Sequence, residues 1–146
     1  FSGLVVLATA GCADNRPMPV LDTKPVTCSS EAECSYLWSK VPQHLEFATK
    51  MRVESANDTF ITTFPPIDTR QLAGRASKVK QSGDTAINAE FQCHRHYGQK
   101  DCERAVINAT NFFNQAMSIE KKHFNKKHLN KSTKLNRFGG FLDRKS

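Results

Sequence analysis

The sequence is short of the patterns that mark enzyme chemistry. It holds no GxGxxG, P-loop, HExxH or GxSxG, so it offers no glycine-rich phosphate cradle, helical zinc pair or nucleophile elbow. No pair of carboxylates stands out for acid–base work, because Glu31 and Glu33 are better explained as helix-capping groups. Beyond the first dozen residues no run is apolar enough to span a bilayer, which takes about 20 such residues. There is no internal repeat, and Trp38 is the single tryptophan. These absences favour a binding or structural module over an enzyme, and no cofactor or metal is expected.

What is present is unevenly spread. Residues 1–117 hold twelve Lys and Arg against twelve Asp and Glu, whereas residues 118–146 hold nine against two, Glu120 and Asp143. The net charge of +7 therefore belongs to the end of the chain and not to the surface of a domain. The opposite end, Phe1 to Ala10, is apolar and uncharged and runs into Ala8-Thr9-Ala10-Gly11-Cys12. It is too short to span a bilayer and fits the h-region and small-residue end of a secretory signal. No Met and no basic n-region precede it, as expected of a truncated start.

TAGC resembles the lipobox of bacterial lipoproteins, with Thr9 where leucine is usual. The resemblance covers about a dozen residues and implies nothing about the fold of the rest. It implies a diacylglyceryl group on the Cys12 thiol, cleavage before Cys12 and acylation of the new amine. Several acyl chains give stable attachment where one gives marginal binding. Ala13 in place of the aspartate that favours inner-membrane retention implies export to the outer membrane, so the expected location is its periplasmic face. Two function classes follow. One is a small outer-membrane lipoprotein, a structural or accessory subunit of a cell-envelope assembly such as a secretion or conjugation complex, with other envelope proteins as partners. The other is a periplasmic metal-binding protein or enzyme built on Cys93, His94, His96 and Cys102.

The cysteines bear on both. Five is an awkward number in an exported protein. Giving Cys12 to the lipid leaves Cys28, Cys34, Cys93 and Cys102, which an oxidising periplasm favours as disulfides. Three connectivities exist; the short loops favour Cys28–Cys34 with Cys93–Cys102. The competing reading takes Cys93, His94, His96 and Cys102 as zinc ligands, although their spacing departs from the common zinc patterns, or pairs a cysteine with a histidine as a nucleophile. His94, Arg95, His96 and Tyr97 form a candidate exposed binding loop in either case. Three Asn-x-Ser/Thr matches, at Asn57, Asn108 and Asn130, carry meaning only in a eukaryotic secreted protein.

Taken in order, residues 1–11 read as a signal remnant and residues 12–28, with three prolines before Val26, as an extended lipid-anchored tether. A domain over 29–118 opens with Ser30-Glu31-Ala32-Glu33, a capping box. Cys34, Trp38, Val41, Leu45 and Ala48 follow at helical spacing, with Pro42 expected to kink or divide the helix and His44 expected to face solvent or the helix edge. Residues 51–55 and 59–64 suggest a short hairpin about Asn57-Asp58. A clearer hairpin joins 72–80 to 85–93 through Gln81-Ser82-Gly83-Asp84, with Ile87, Ala89, Phe91 and Cys93 on one face. A second helix carries Cys102, Ala105, Val106, Ala109, Phe112, Phe113 and Ala116. The expected fold is α+β, a two-layer sandwich with an antiparallel sheet of three to four strands and two helices on one face, α-β-β-β-α in order. Residues 119–146 lose the apolar period and are expected to be a flexible basic tail. There Lys121, Lys122, Lys126, Lys127, Phe138 and Phe141 are candidate contacts to an anionic surface such as lipid, lipopolysaccharide or peptidoglycan. Nucleic acid is not expected as a partner.

Overall fold

Seven elements follow one another: β1 (Val26–Cys28), α1 (Glu31–Thr49), β2 (Val53–Ala56), β3 (Phe60–Thr63), β4 (Leu72–Gln81), β5 (Asp84–Cys93) and α2 (Gln99–Leu142). The computed structural model describes residues 16–142, the last five by backbone alone.

The long hairpin forms the middle of the sheet. β4 and β5 pair from Leu72↔Cys93 to Gln81↔Asp84, closed by Ser82 and Gly83 at φ 45° and 90°. Two consecutive left-handed residues match the twist of the strands, which is why a two-residue hairpin favours them. Inward-facing Ile87, Ala89 and Phe91 are buried, as the alternation of the sequence requires. Gly74 lies opposite Phe91, where an added Cβ would sit 2.7 Å from Thr49 Cγ2 and 2.9 Å from Leu45 Cδ1. Its lack of a side chain lets α1 approach the sheet.

The sheet has five antiparallel strands in the order β1-β5-β4-β3-β2. The α+β class and the two helices are as expected; the count of three to four strands is corrected to five. The added strand is β1, which lies on the edge next to β5, so the order is β-α-β-β-β-β-α. Val26 and Cys28 are buried there, and the Cys28–Cys34 disulfide ties the strand to α1. Three residues after Pro25 are too few to show a strand period, and only tertiary pairing makes them one.

α1 begins as its capping box predicts. Glu33 N–H donates to Ser30 Oγ and Ser29 N–H to Glu33 Oε1. The helix runs unbroken through Pro42, so of the expected kink or division the division is corrected. Leu37, Trp38, Val41 and Leu45 meet Phe113, Met117 and the sheet in one core. α1 and α2 run antiparallel, since Phe47 stacks on Phe112 and the Tyr36 and Phe124 rings meet at a tilt 5.3 Å apart.

Two further corrections concern the ends. Residues 16–25 are extended, as a proline-rich tether should be, but they are strapped along α2. Arg104 donates to the carbonyls of Arg16 and Pro17, Asn111 to that of Val20, and Lys121 to that of Thr27. The flexible tail from residue 119 is corrected as well, because α2 continues to Leu142. From 119 to 138 the sequence has no proline or glycine and holds six lysines with Glu120, Arg137 and two leucines, and such residues hold a helix without an apolar stripe. Phe124 extends the packing on α1 by a further turn.

This path gives the domain two ends. At one lie the C-terminus of α1, the start of α2, the turn after β3 and the loop after β5, and there the strap enters. At the other, α2 passes the N-terminus of α1 and continues alone.

Candidate functional site

The end where the strap enters carries a cleft of about 470 Å³. Phe47 and Phe112 stack at 4.8 Å between centroids on one side, and Tyr97, Lys50, Arg70 and Asn108 supply polar groups around it. The corner below α1 is fixed by backbone bonds. Lys50 takes a left-handed φ of 58° and donates its N–H to the Glu46 carbonyl, while Glu46 Oε1 accepts from Val53 N–H. That corner leaves Lys50 and Arg52 exposed.

A second groove of about 430 Å³ adjoins the first through Lys50. Its rim is the turn 64–71, where Gln71 Oε1 accepts from Ile67 N–H and Gln71 N–H bonds the Asp68 carbonyl. The braced turn holds Phe64 at 46% and Ile67 at 78% exposure. Asp68 pairs with Arg70 at 2.9 Å. Hydrogen bonds from Arg70 are the main cause that holds its carboxyl below the usual range.

The cysteines pair as Cys28–Cys34 and Cys93–Cys102. The second disulfide takes both sulfurs that a zinc site or a cysteine nucleophile would need, so the reading built on Cys93, His94, His96 and Cys102 loses its two sulfur ligands. Among the described residues no group of three or more His, Cys, Asp or Glu is placed to hold a metal ion. Within the candidate loop the residues divide. Tyr97 lines the cleft and its N–H closes a turn on the His94 carbonyl. His94 accepts from the His96 N–H, and Arg95 and His96 are exposed.

The basic half of α2 also divides. Lys121 is engaged with Thr27 and belongs to the fold, whereas Lys122, Lys126 and Lys127 are exposed. Lys131, Lys134 and Arg137 continue the exposed charge, with Leu129 and Leu135 exposed among them at 68% and 67%. Cys12 and the side chains of Phe138 and Phe141 lie outside the described residues.

One polar cluster was not foreseen from the sequence. Glu120 accepts from Tyr36 Oη at 3.1 Å and meets His44 Nε2 at 2.9 Å, so His44 faces α2 and not solvent. Burial works to raise the Glu120 pKa, but the bonds from His44 and Tyr36, with the charges of His44 and Lys40, hold it below the usual range. Burial, joined by the bond to Glu120, raises the Tyr36 pKa. The available signal was Glu120 itself, the only acid between 118 and 142. The cluster clamps α1 to α2. No family model, curated protein or solved structure matches this chain.

Proposed function

We propose that this chain is a small bacterial lipoprotein, anchored through Cys12 at the periplasmic face of the outer membrane, whose α+β domain is an accessory subunit of an envelope assembly. The location rests on cysteine arithmetic. Two disulfides use four of the five cysteines, and Cys12 falls to the lipid that the TAGC stretch implies. The disulfides themselves suit an exported protein.

The observation that carries the functional half is the free length of α2. By the pairing of Phe47 with Phe112 and Tyr36 with Phe124, the N-terminus of α1 lies opposite about residue 129. The helix then continues to Leu142, about 20 Å further by helical rise. A helix whose described side chains beyond residue 129 are all exposed suits a surface for another protein. Leu129 and Leu135 supply apolar contacts within a field of lysines.

Two measurements test this. Mass spectrometry of the mature N-terminus is expected to show a triacylated Cys12, and Cys12→Ser is expected to move the protein to the soluble fraction. A photo-crosslinking residue at Leu129 or Leu135 in the native host is expected to capture a defined envelope protein. A residue at Arg75, on the polar face of the sheet, serves as the control. Equal labelling at all three positions would remove the proposal that α2 is the contact.

A further inference from the structure

We infer that the end of the domain carrying Phe64, Ile67, Lys50 and Arg52 is a bilayer-docking face that takes anionic phospholipid. This deepens the lipoprotein reading and rests on it, because a lipid on Cys12 is what brings this end to the membrane.

The first step is chain length. Arg104, in the opening turns of α2, holds the carbonyls of Arg16 and Pro17. From Cys12 to Arg16 there are four residue steps, which fully extended span at most about 14 Å. An anchor at Cys12 therefore keeps the end of the domain around Arg104 within that distance of the headgroups. The fold places the start of α2, the corner Lys50–Arg52 and the turn 64–71 at this same end.

The second step is the chemistry presented there. Ile67 and Phe64 are held outward at 78% and 46% exposure on a turn braced by Gln71. Phe47 lies exposed at 70% beside the same corner. Solvent gives no reason to fix apolar side chains outward on a rigid turn, whereas the acyl–headgroup boundary does. Beside them stand the exposed cations Lys50 and Arg52. The acid in this turn, Asp68, is already paired with Arg70, and the exposed acids Asp101 and Glu103 sit apart on the first turns of α2. Apolar tips flanked by two cations complement the phosphates and upper acyl region of an anionic leaflet. A protein partner of similar chemistry would have to fit the narrow space that the short tether leaves.

The geometry also separates this face from the free half of α2. Residues 104 and 137 lie about 50 Å apart by helical rise. One end of the molecule can rest on the bilayer while the other projects toward a partner.

The test uses the full chain in two forms. The lipidated protein is reconstituted into vesicles of phosphatidylethanolamine and phosphatidylglycerol, and the Cys12→Ser chain is mixed with the same vesicles at low salt. Each form carries Ile67→Trp or, as a comparison, Leu135→Trp, and brominated phospholipids report how deeply the indole enters. Trp38 is buried and common to all samples. The expected result is quenching and a blue shift at position 67 in both forms, with neither at position 135. Lys50→Asn with Arg52→Gln is expected to weaken binding of the Cys12→Ser chain roughly 25-fold, about fivefold per charge. An unquenched indole at position 67 on the lipidated chain overturns the proposal and leaves the face to a protein partner. Quenching at 135 without 67 overturns it in favour of a membrane-bound α2. A mass spectrum with no lipid on Cys12 defeats the lipoprotein reading alone, and the Cys12→Ser vesicles then decide the face by themselves.

Discussion

Glu120 is the one carboxylate in the last turns of packed helix, and it receives both Tyr36 and His44 from α1. Its folded pKa is lowered. The stability it contributes is therefore complete above the ordinary carboxylate pKa of about 4.3 and is lost as pH falls through the folded value. Glu120→Gln is expected to cost about 1.5 kcal/mol at neutral pH, the low end for a charged hydrogen bond, because the amide oxygen still accepts one bond. Urea midpoints should show that cost shrinking as pH falls below the ordinary carboxylate range and through the lowered folded value, where the wild-type carboxyl is itself protonated. A constant difference across pH would mean that packing, not charge, holds the clamp. Gly74 is the steric counterpart. A methyl group there meets Thr49 Cγ2 at 2.7 Å, so Gly74→Ala is expected to destabilise by about 1–3 kcal/mol through overpacking. Gly83 has open space within 4 Å of where a Cβ would stand but a φ of 90°, so substitution there would be strained for backbone reasons alone.

Among the elements, the two disulfides close loops of 6 and 9 residues in separation. Chain entropy gives each about 2–3 kcal/mol. Cys28→Ser with Cys34→Ser is expected to do more than lower a urea midpoint by that amount. It also frees β1, a three-residue edge strand, so hydrogen exchange should rise at Val26 and Thr27 before the rest of the sheet. Losing the bond between Cys93 and Cys102 should loosen the loop 94–98 and leave β1 protected. Deleting residues 130–146 removes a stretch whose described side chains, 130–137, are all exposed, so stability should change by no more than about 0.5 kcal/mol, while far-UV signal falls. The β4–β5 hairpin was legible in the sequence because Ser82-Gly83 and the alternation about Ile87, Ala89 and Phe91 agree. The capping box at Ser30 was legible for the same reason, a local pattern with one local outcome. β1 was not, because its pairing with β5 is set by contacts some 60 residues away. The reach of α2 was not, because its apolar spacing fades where packing stops, although helix propensity does not. The cleft about Phe47 and Phe112 escaped the sequence because Phe112 reads as a member of an inward stripe and Phe47 falls outside the stripe of α1. Their exposure follows from where α1 ends.

At the scale of the molecule, the strap is what would convert the proposed anchor at Cys12 into an orientation. A flexible tether would let the domain tumble above the bilayer, but Arg104, Asn111 and Lys121 hold residues 16–27 along α2. Docking of Ile67 and Phe64 then becomes an intramolecular event whose effective concentration depends on the few residues before Arg16. Inserting twelve Gly and Ser residues between Cys12 and Arg16 adds a coil of about 20 Å root-mean-square length. On the lipidated protein this insertion is expected to reduce quenching at Ile67→Trp and leave folding stability unchanged. Arg104→Ala should act in the same direction by releasing Arg16 and Pro17 from α2. The same two changes are expected to spread crosslinks from Leu129 and Leu135 over more neighbours, since α2 would no longer project at a set angle. If quenching persists after insertion, the face binds lipid strongly enough by itself and the strap serves stability alone. If crosslinking at Leu129 stays specific while quenching is lost, the partner and not the bilayer sets the orientation of the domain.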